Sequence, residues 1–496
     1  MPESKQPKTP QQKMKYTSFT LVFLLLISGC KPSGKPVEKK VAQQEVINFL
    51  FQDYMGEKPS ASFMVIKDGE IKDCQSFGYA DLENKIPATC ETNYRLASVT
   101  KQFTAMGILV LIQQGKLNYN TKLNEVLPEF PDYGKDITVQ HLMTHRSGLQ
   151  DYSELYPNDA EEQLVDNDVL NLLIAQDSLL FPANSKYEYS NSGYAVLAMI
   201  IERVSGQTFK EFMDKEIFDK IGMTNSTGYQ KDLPIKNRAY GYTFNDTHYE
   251  NVDQNTWSAI LGDGGIYSSV SDYRHWDSSL YNETLVSTAL LNDAFSNWDE
   301  NGKTEGKGYG FGWRIFIKND RKYLTHAGSS TGFRNFSVRI PSEKITVVIY
   351  TNTEDYDGLD HKAYFLASYY SDGKIPIPAD VLLEKDIEEN GLENLTNKFK
   401  ELKGTPAKYE IVEKDLVTLG FGYLKTTPEK ALQLFELVQT EFPNYFGGYF
   451  GLAQYYRTNG NNEKTIEYFK KVPELATSED QNLIDYSKKI IQELNE

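Results

Sequence analysis

The sequence predicts a mixed α/β fold: an antiparallel sheet flanked by helices, carrying a helical lobe and followed by an all-α domain. Three observations lead there. Strand-like segments stand near both ends of residues 46–375, apolar helical periodicity fills the stretch between them, and beyond residue 378 almost everything reads as helix. At 496 residues the chain is too long for one ordinary compact domain, and its 40% apolar content supports a sizeable core. A net charge of −17 with no basic cluster argues against nucleic acid as a partner.

The elements follow in order. Lys13 and Lys15 precede a short apolar run, Phe19–Ile27, closed by Ser28-Gly29-Cys30. Such a run is too short to span a bilayer comfortably and reads as an export signal. Met14 is the more natural start of that signal. Leu26-Ile-Ser-Gly-Cys30 resembles a bacterial lipobox, which implies a lipoprotein-type signal peptide over 1–30, lipid on Cys30 and a lipid-anchored, exported protein facing the periplasm or exterior. Residues 31–45, opening with Lys31-Pro-Ser-Gly-Lys-Pro36, read as a tether. An oxidising compartment permits a disulfide between Cys74 and Cys90, but spacing alone does not place them within reach.

Residues 61–80 read as a β-hairpin turning at Asp68-Gly69. From Ser98 to about residue 225 the pattern is helical and includes Leu164–Ala175, Tyr194–Val204 and Phe209–Phe218. Strand character returns at Gly310–Ile317, Arg321–Thr325, Phe333–Ile340 and Lys344–Tyr350, and an amphipathic helix near Leu359–Tyr370 closes the domain. Strands from both ends then complete one sheet, and the helical stretch becomes the lobe. Ser371–Pro378 marks a boundary. In the helical domain, 379–496, Glu429-Lys-Ala-Leu-Gln-Leu-Phe435 recurs as Glu463-Lys-Thr-Ile-Glu-Tyr-Phe469. That internal repeat resembles tetratricopeptide helical pairs, which implies a protein partner; bracing the first domain is the other reading.

Ser98-Val-Thr-Lys101 carries the chemistry. A hydroxyl and an amine three residues apart, just before the apolar run Phe103–Ile112, share one face of a first helical turn. A desolvated lysine can take the serine proton, and the turn offers N–H groups to an oxyanion. Ser28 to Lys31 and Ser371 to Lys374 have the same spacing but no such helix behind them. Tyr189-Ser-Asn191 lies in a polar loop before the apolar helix Ala195–Ile201. Its phenol can shuttle a proton, and its amide can contact a substrate and hold the lysine. His326-Ala-Gly328 ends a strand in small residues beside which a substrate can lie. The Ser329 N–H there can pair with that of Ser98 as an oxyanion hole, and the histidine can order hydrogen bonds or supply charge.

Taken in order, these three motifs resemble the boxes of the class C β-lactamase and penicillin-binding serine hydrolase family. Supporting segments look similar too: Phe77–Asp81, His141–Leu149, Gly264–Ser269 with Asp272, and Tyr309–Trp313. The resemblance covers roughly residues 45–370. It implies a β-lactamase/transpeptidase-like fold and a serine hydrolase with no cofactor. Ser98 would be the acylated nucleophile, Lys101 its base and Tyr189 a second acid and base. Asn191, His326, Gly328 and Ser329 would contact substrate. Where β-lactamases of this class carry Lys-Thr-Gly, this chain has His326. That resembles the family's D-peptidases and esterases and turns the expectation toward D-amino-acid peptides, esters or β-lactam-like amides. The competing class is a binding module on an inactive scaffold, its repeats recruiting a partner. Two decoys are set aside: His141 and His145 have metal-pair spacing but no adjacent Glu, and Asp263-Gly-Gly265 reads as a turn rather than a catalytic carboxylate.

Overall fold

The computed structural model describes residues 36–156, 162–298, 307–355, 358–477 and 480–496. The chain divides into two units, up to Ile47 and from Asn48 onward. The candidate signal and Cys30 lie outside the described residues. Helix α1, Pro36–Leu50, occupies much of the expected tether. Pro36 suits a first helical position, and the run Val-Glu-Lys-Lys-Val-Ala-Gln-Gln-Glu behind it is rich in helix formers.

A seven-stranded antiparallel sheet organises the larger unit. Its strands are β1 (Ala61–Lys67), β2 (Glu70–Phe77), β3 (Lys307–Tyr309), β4 (Arg314–Lys318), β5 (Arg321–Ser330), β6 (Phe333–Ile340) and β7 (Ile345–Thr351). Their order is β3-β4-β5-β6-β7-β1-β2, so the N-terminal hairpin completes the C-terminal meander. β1 and β7 pair from Ala61 with Thr351 to Lys67 with Ile345, and both are wholly buried. Central strands covered on both faces need apolar residues throughout, which Phe63–Ile66 and Val347–Ile349 supply. Cys74 of β2 is disulfide-bonded to Cys90.

Residue alternation along β6 sorts the two faces. Asn335, Ser337 and Arg339 point toward the lobe, donating to Arg95 O, accepting from Gln102 and pairing with Asp277. Phe336 points the other way, against Tyr364. The lobe contributes α2 (Thr100–Gln113), α3 (Asp166–Ile174), α4 (Asn191–Ser205), the single-turn α5 (Leu261–Gly264) and α6 (Val270–Ser279). Helix α7 (Leu359–Tyr369) covers the opposite face. Arg339 and Asp277 form a buried ion pair, 2.9 Å, which Thr346 joins by donating to Asp277. This pair clamps α6 to the sheet.

The C-terminal region is helical: α8 (Ala379–Asn390), α9 (Leu395–Lys403), α10 (Glu413–Tyr423), α11 (Pro428–Glu441), α12 (Phe446–Thr458), α13 (Asn462–Leu475) and α14 (Gln481–Asn495). Its own apolar clusters, one around Phe399, Leu434 and Phe435 and another around Phe469 and Ile490, hold successive helices together. Among the described residues no helix is long and apolar enough to cross a membrane.

Candidate active site

Ser98 sits in a short 3₁₀ turn, Ala97–Val99, that runs directly into α2. Ala97 has φ of +48°, a conformation that costs an alanine roughly 1–2 kcal/mol. Neighbouring contacts over-determine it. Leu96 N–H donates to Ile266 O at 2.8 Å, Val99 N–H to Leu96 O at 3.2 Å, and Asn335 Nδ2 to Arg95 O at 2.8 Å. A strained residue immediately before the serine, held from three sides, fixes where the hydroxyl stands.

Lys101, fully buried, lies one turn further on. Its Nζ has three acceptors in reach: Ser98 Oγ at 3.1 Å, Asn191 Oδ1 at 2.8 Å and the Asp263 carbonyl at 3.0 Å. Two of these can only accept, whereas the serine hydroxyl can also donate. Asn191 Oδ1 and the Asp263 carbonyl therefore each take an N–H, and the remaining position on the nitrogen faces Ser98 Oγ. The Tyr189 and Tyr194 rings lie beneath the same nitrogen, with centroids at 5.0 and 5.5 Å.

Asn191 opens α4, and its N–H donates to Asp151 Oδ2 at 2.6 Å. With Oδ1 committed to Lys101, its Nδ2 donors remain for a ligand. The Tyr189 loop is shaped by the 141–149 segment. His145 Nδ1 accepts from Ser190 N–H at 3.1 Å, its carbonyl accepts from Glu188 N–H, and Arg146 donates to Asn184. His141 Nδ1 accepts from Thr138 N–H, so both members of the decoy pair serve loop hydrogen bonds.

His326 is buried, 1% exposed. Its Nδ1–H donates to Ala327 O at 2.7 Å, and Nε2, 2.9 Å from the Tyr309 hydroxyl, accepts from it. Burial and the nearby Lys101 push its pKa down to about 3, and the same influences hold His145 well below the usual histidine range. Of the two roles expected of His326, its contacts suit the ordering of hydrogen bonds, and burial disfavours the charged form.

Two glycines explain the surrounding motifs. A Cβ on Gly328 would lie 2.3 Å from Leu96 O, so only glycine lets β5 approach the serine turn. Gly312, at φ +79°, leaves no room for a side chain against Lys101 O and the Gln102 backbone. β4 pairs with β5 only as far as Thr325, so from His326 to Ser330 one flank of β5 pairs with no strand among the described residues and faces the serine turn.

Ser98, Asn191 and Ser329 line one cavity of about 330 Å³. Lys101, Tyr189, His326 and Gly328 stand behind or beside that lining. Sequence reasoning passed over several groups that share it, among them Arg95, Tyr152, Trp257, Asp263, Arg334 and Glu354. Asp263 is the instructive one. It does sit in a turn of helix, but its carbonyl holds Lys101 and its buried carboxyl, pushed up by burial, accepts from Tyr152 at 2.8 Å. No spacing rule announces a backbone carbonyl as a site group.

Residues 47–370 match the protein-family model described as Beta-lactamase. The chain belongs to that family. Penicillin-binding protein 4* of Bacillus subtilis (strain 168) is 32% identical over 336 residues, covering 64% of this chain and 73% of that protein. Protein flp of Staphylococcus aureus (strain NCTC 8325 / PS 47) is 26% identical, and the match covers 63% of each chain. Among solved structures, the octameric penicillin-binding protein homologue from Pyrococcus abyssi gives a TM-score of 0.58 at 24% identity, over 72% of this chain and 82% of that one. At that identity the likeness speaks for the fold. The beta-lactamase family fold thus extends to this chain, with a helical region added beyond it.

Proposed function

We propose that this protein is a serine hydrolase that works through an acyl-enzyme on Ser98. The observation that carries the reading is the Ser98–Lys101–Asn191 hydrogen-bond chain, closed by the Asp263 carbonyl. The Lys101 amine, once its proton has been given up, takes the Ser98 proton as Oγ attacks a carbonyl carbon. The Ser98 and Ser329 N–H groups receive the oxyanion, and Asn191 Nδ2 contacts the acyl side. Tyr189, whose ring lies under the lysine, passes the proton to the leaving group and later activates water.

The substrate reading follows from the third motif. A neutral His326, turned to Tyr309, presents no cation where the family's β-lactamases present lysine. We therefore infer the penicillin-binding, D-peptidase and esterase side of the class C-like family. D-amino-acid peptides, esters or amides are the substrates, and β-lactams act as slow acylating analogues. A solved D-amino acid amidase from Ochrobactrum anthropi SV3 shares the fold at a TM-score of 0.53 and 22% identity. The cavity volume suits a small ligand of this kind. We read the helical region as tetratricopeptide-like, since α11 and α13 start at Pro428 and Asn462, 34 residues apart. Export and lipidation at Cys30 remain part of the proposal and place the enzyme at the cell envelope.

A panel of a chromogenic cephalosporin, a p-nitrophenyl ester and a D-Ala-D-Ala peptide tests the substrate reading. Turnover of the ester or peptide with slow or absent cephalosporin turnover is expected. Efficient cephalosporin hydrolysis with no activity on the others would overturn it.

A further inference from the structure

Where the helical region meets the hydrolase domain, three side chains from three helices converge: His361 of α7, Asp380 of α8 and Asp415 of α10. Their ligating atoms all lie within 4.8 Å of one another. His361 belongs to the helix that covers the sheet, whereas both aspartates belong to the appended region. We propose that these three residues bind a transition-metal dication, Zn²⁺ by preference, which ties the helical region to the hydrolase domain.

The charges at this junction are unequal, two carboxylates against one imidazole. Nε2 of His361 is buried and forms an ion pair with Asp380. The Asp415 carboxylate, half-buried, meets no hydrogen-bond donor and no ion-pair partner among the described residues. The nearest other ions are already matched to each other, Lys318 to Glu410 at 2.7 Å. Two carboxylates therefore share a single imidazole. Burying unpaired charge is expensive, and a metal ion is one group able to satisfy all three at once.

The donor set narrows the ion. One imidazole nitrogen and two carboxylate oxygens suit Zn²⁺ and Co²⁺, while Mg²⁺ and Ca²⁺ favour oxygen alone. Bonds of about 2.0–2.2 Å from a common centre place ligand atoms roughly 3.5 Å apart. A cavity of about 100 Å³ lined by His361, Asp415, Glu410 and Tyr364 adjoins the cluster and leaves room for a water as fourth ligand.

The site is separate from Ser98 chemistry, so its test does not depend on the hydrolase reading. Full-length protein is stripped with a chelator, dialysed, and titrated with Co²⁺ at roughly pH 8, where the imidazole is free to bind. One Co²⁺ per chain is expected, with visible absorption of four-coordinate intensity that Zn²⁺ displaces, and a Zn²⁺-dependent rise in melting temperature. His361→Gln and Asp415→Asn should each weaken Zn²⁺ binding by at least about tenfold. Near-isosteric replacements keep the fold, which circular dichroism checks. Absence of stoichiometric Co²⁺ binding would overturn the proposal, leaving an imidazolium shared by two carboxylates. Binding undiminished in both variants would overturn it equally, placing the metal elsewhere.

Discussion

His326 and His361 stand on opposite sides of one sheet and meet opposite electrostatics. On the lobe side, His326 is sealed among aromatic rings with Lys101 nearby, and its pKa falls to about 3. On the far side, Asp380 and Asp415 surround His361 and raise its pKa despite burial. One residue type becomes a neutral hydrogen-bond relay in the first place and a cation or metal ligand in the second. The neighbours decide the role, and in both cases they arrive from distant parts of the sequence. The lobe side is built for directional hydrogen bonding around Ser98. The junction is built around negative charge.

The sharpest contrast between the two regions is in activity. Ser98→Ala should remove hydrolysis by roughly 10³-fold or more while leaving the melting temperature within a few degrees, measured on the preferred substrate of the panel. His361→Gln should leave kcat/KM within about twofold in the same assay. If both variants lose activity alike, the separation of the two regions fails.

Gly328→Ala probes the approach of β5 to the serine turn. Its Cβ would press on Leu96 O and push β5 from the serine turn. A loss of roughly 1–3 kcal/mol in stability by urea titration, with a fall in kcat, is expected from overpacking. Asp277→Ala probes the clamp between α6 and the sheet rather than the site. Leaving Arg339 buried without its partner should cost about 3–5 kcal/mol by urea titration.

The smallest effect concerns pH. A histidine near pKa 3 when folded, against 6.5 in the unfolded chain, leaves the unfolded state binding more protons below 6.5. Its contribution to stability is present above that value and is lost as pH falls toward about 3. His145, depressed by the same surroundings, adds in the same direction. Melting temperature should therefore fall through this window, less steeply in His326→Gln, and kcat/KM should show no limb from His326 near pH 6.5. An activity limb near 6.5 that disappears in His326→Gln would show that this histidine is charged in the working enzyme.

Much of this arrangement was legible beforehand, for identifiable reasons. The hairpin at Asp68-Gly69 and the helix behind Ser98 follow from local patterns whose physics is short-range. β5 was read only to Thr325, because Ala327, Gly328 and the serines have little strand preference and owe their extended form to pairing with β6. The helical form of α1 was not read from the Pro-Gly cluster that precedes it. Ser98, Lys101 and Asn191 were found through spacing, and the structure brings them into one hydrogen-bond chain. Asp263 was weighed only as a carboxylate in a turn, whereas its contact with Lys101 is made by its carbonyl. Arg95 and Glu354 escaped because tertiary folding alone brings them to the cavity.

Covalent labelling of Ser98 tests the central claim most directly. Wild type and Ser98→Ala are incubated with a serine-reactive fluorophosphonate and examined by intact-protein mass spectrometry and peptide mapping. The account predicts one adduct per wild-type chain, mapped to the peptide containing Ser98, and none on the variant. Equal labelling of the two proteins, or an adduct on another serine, would contradict it.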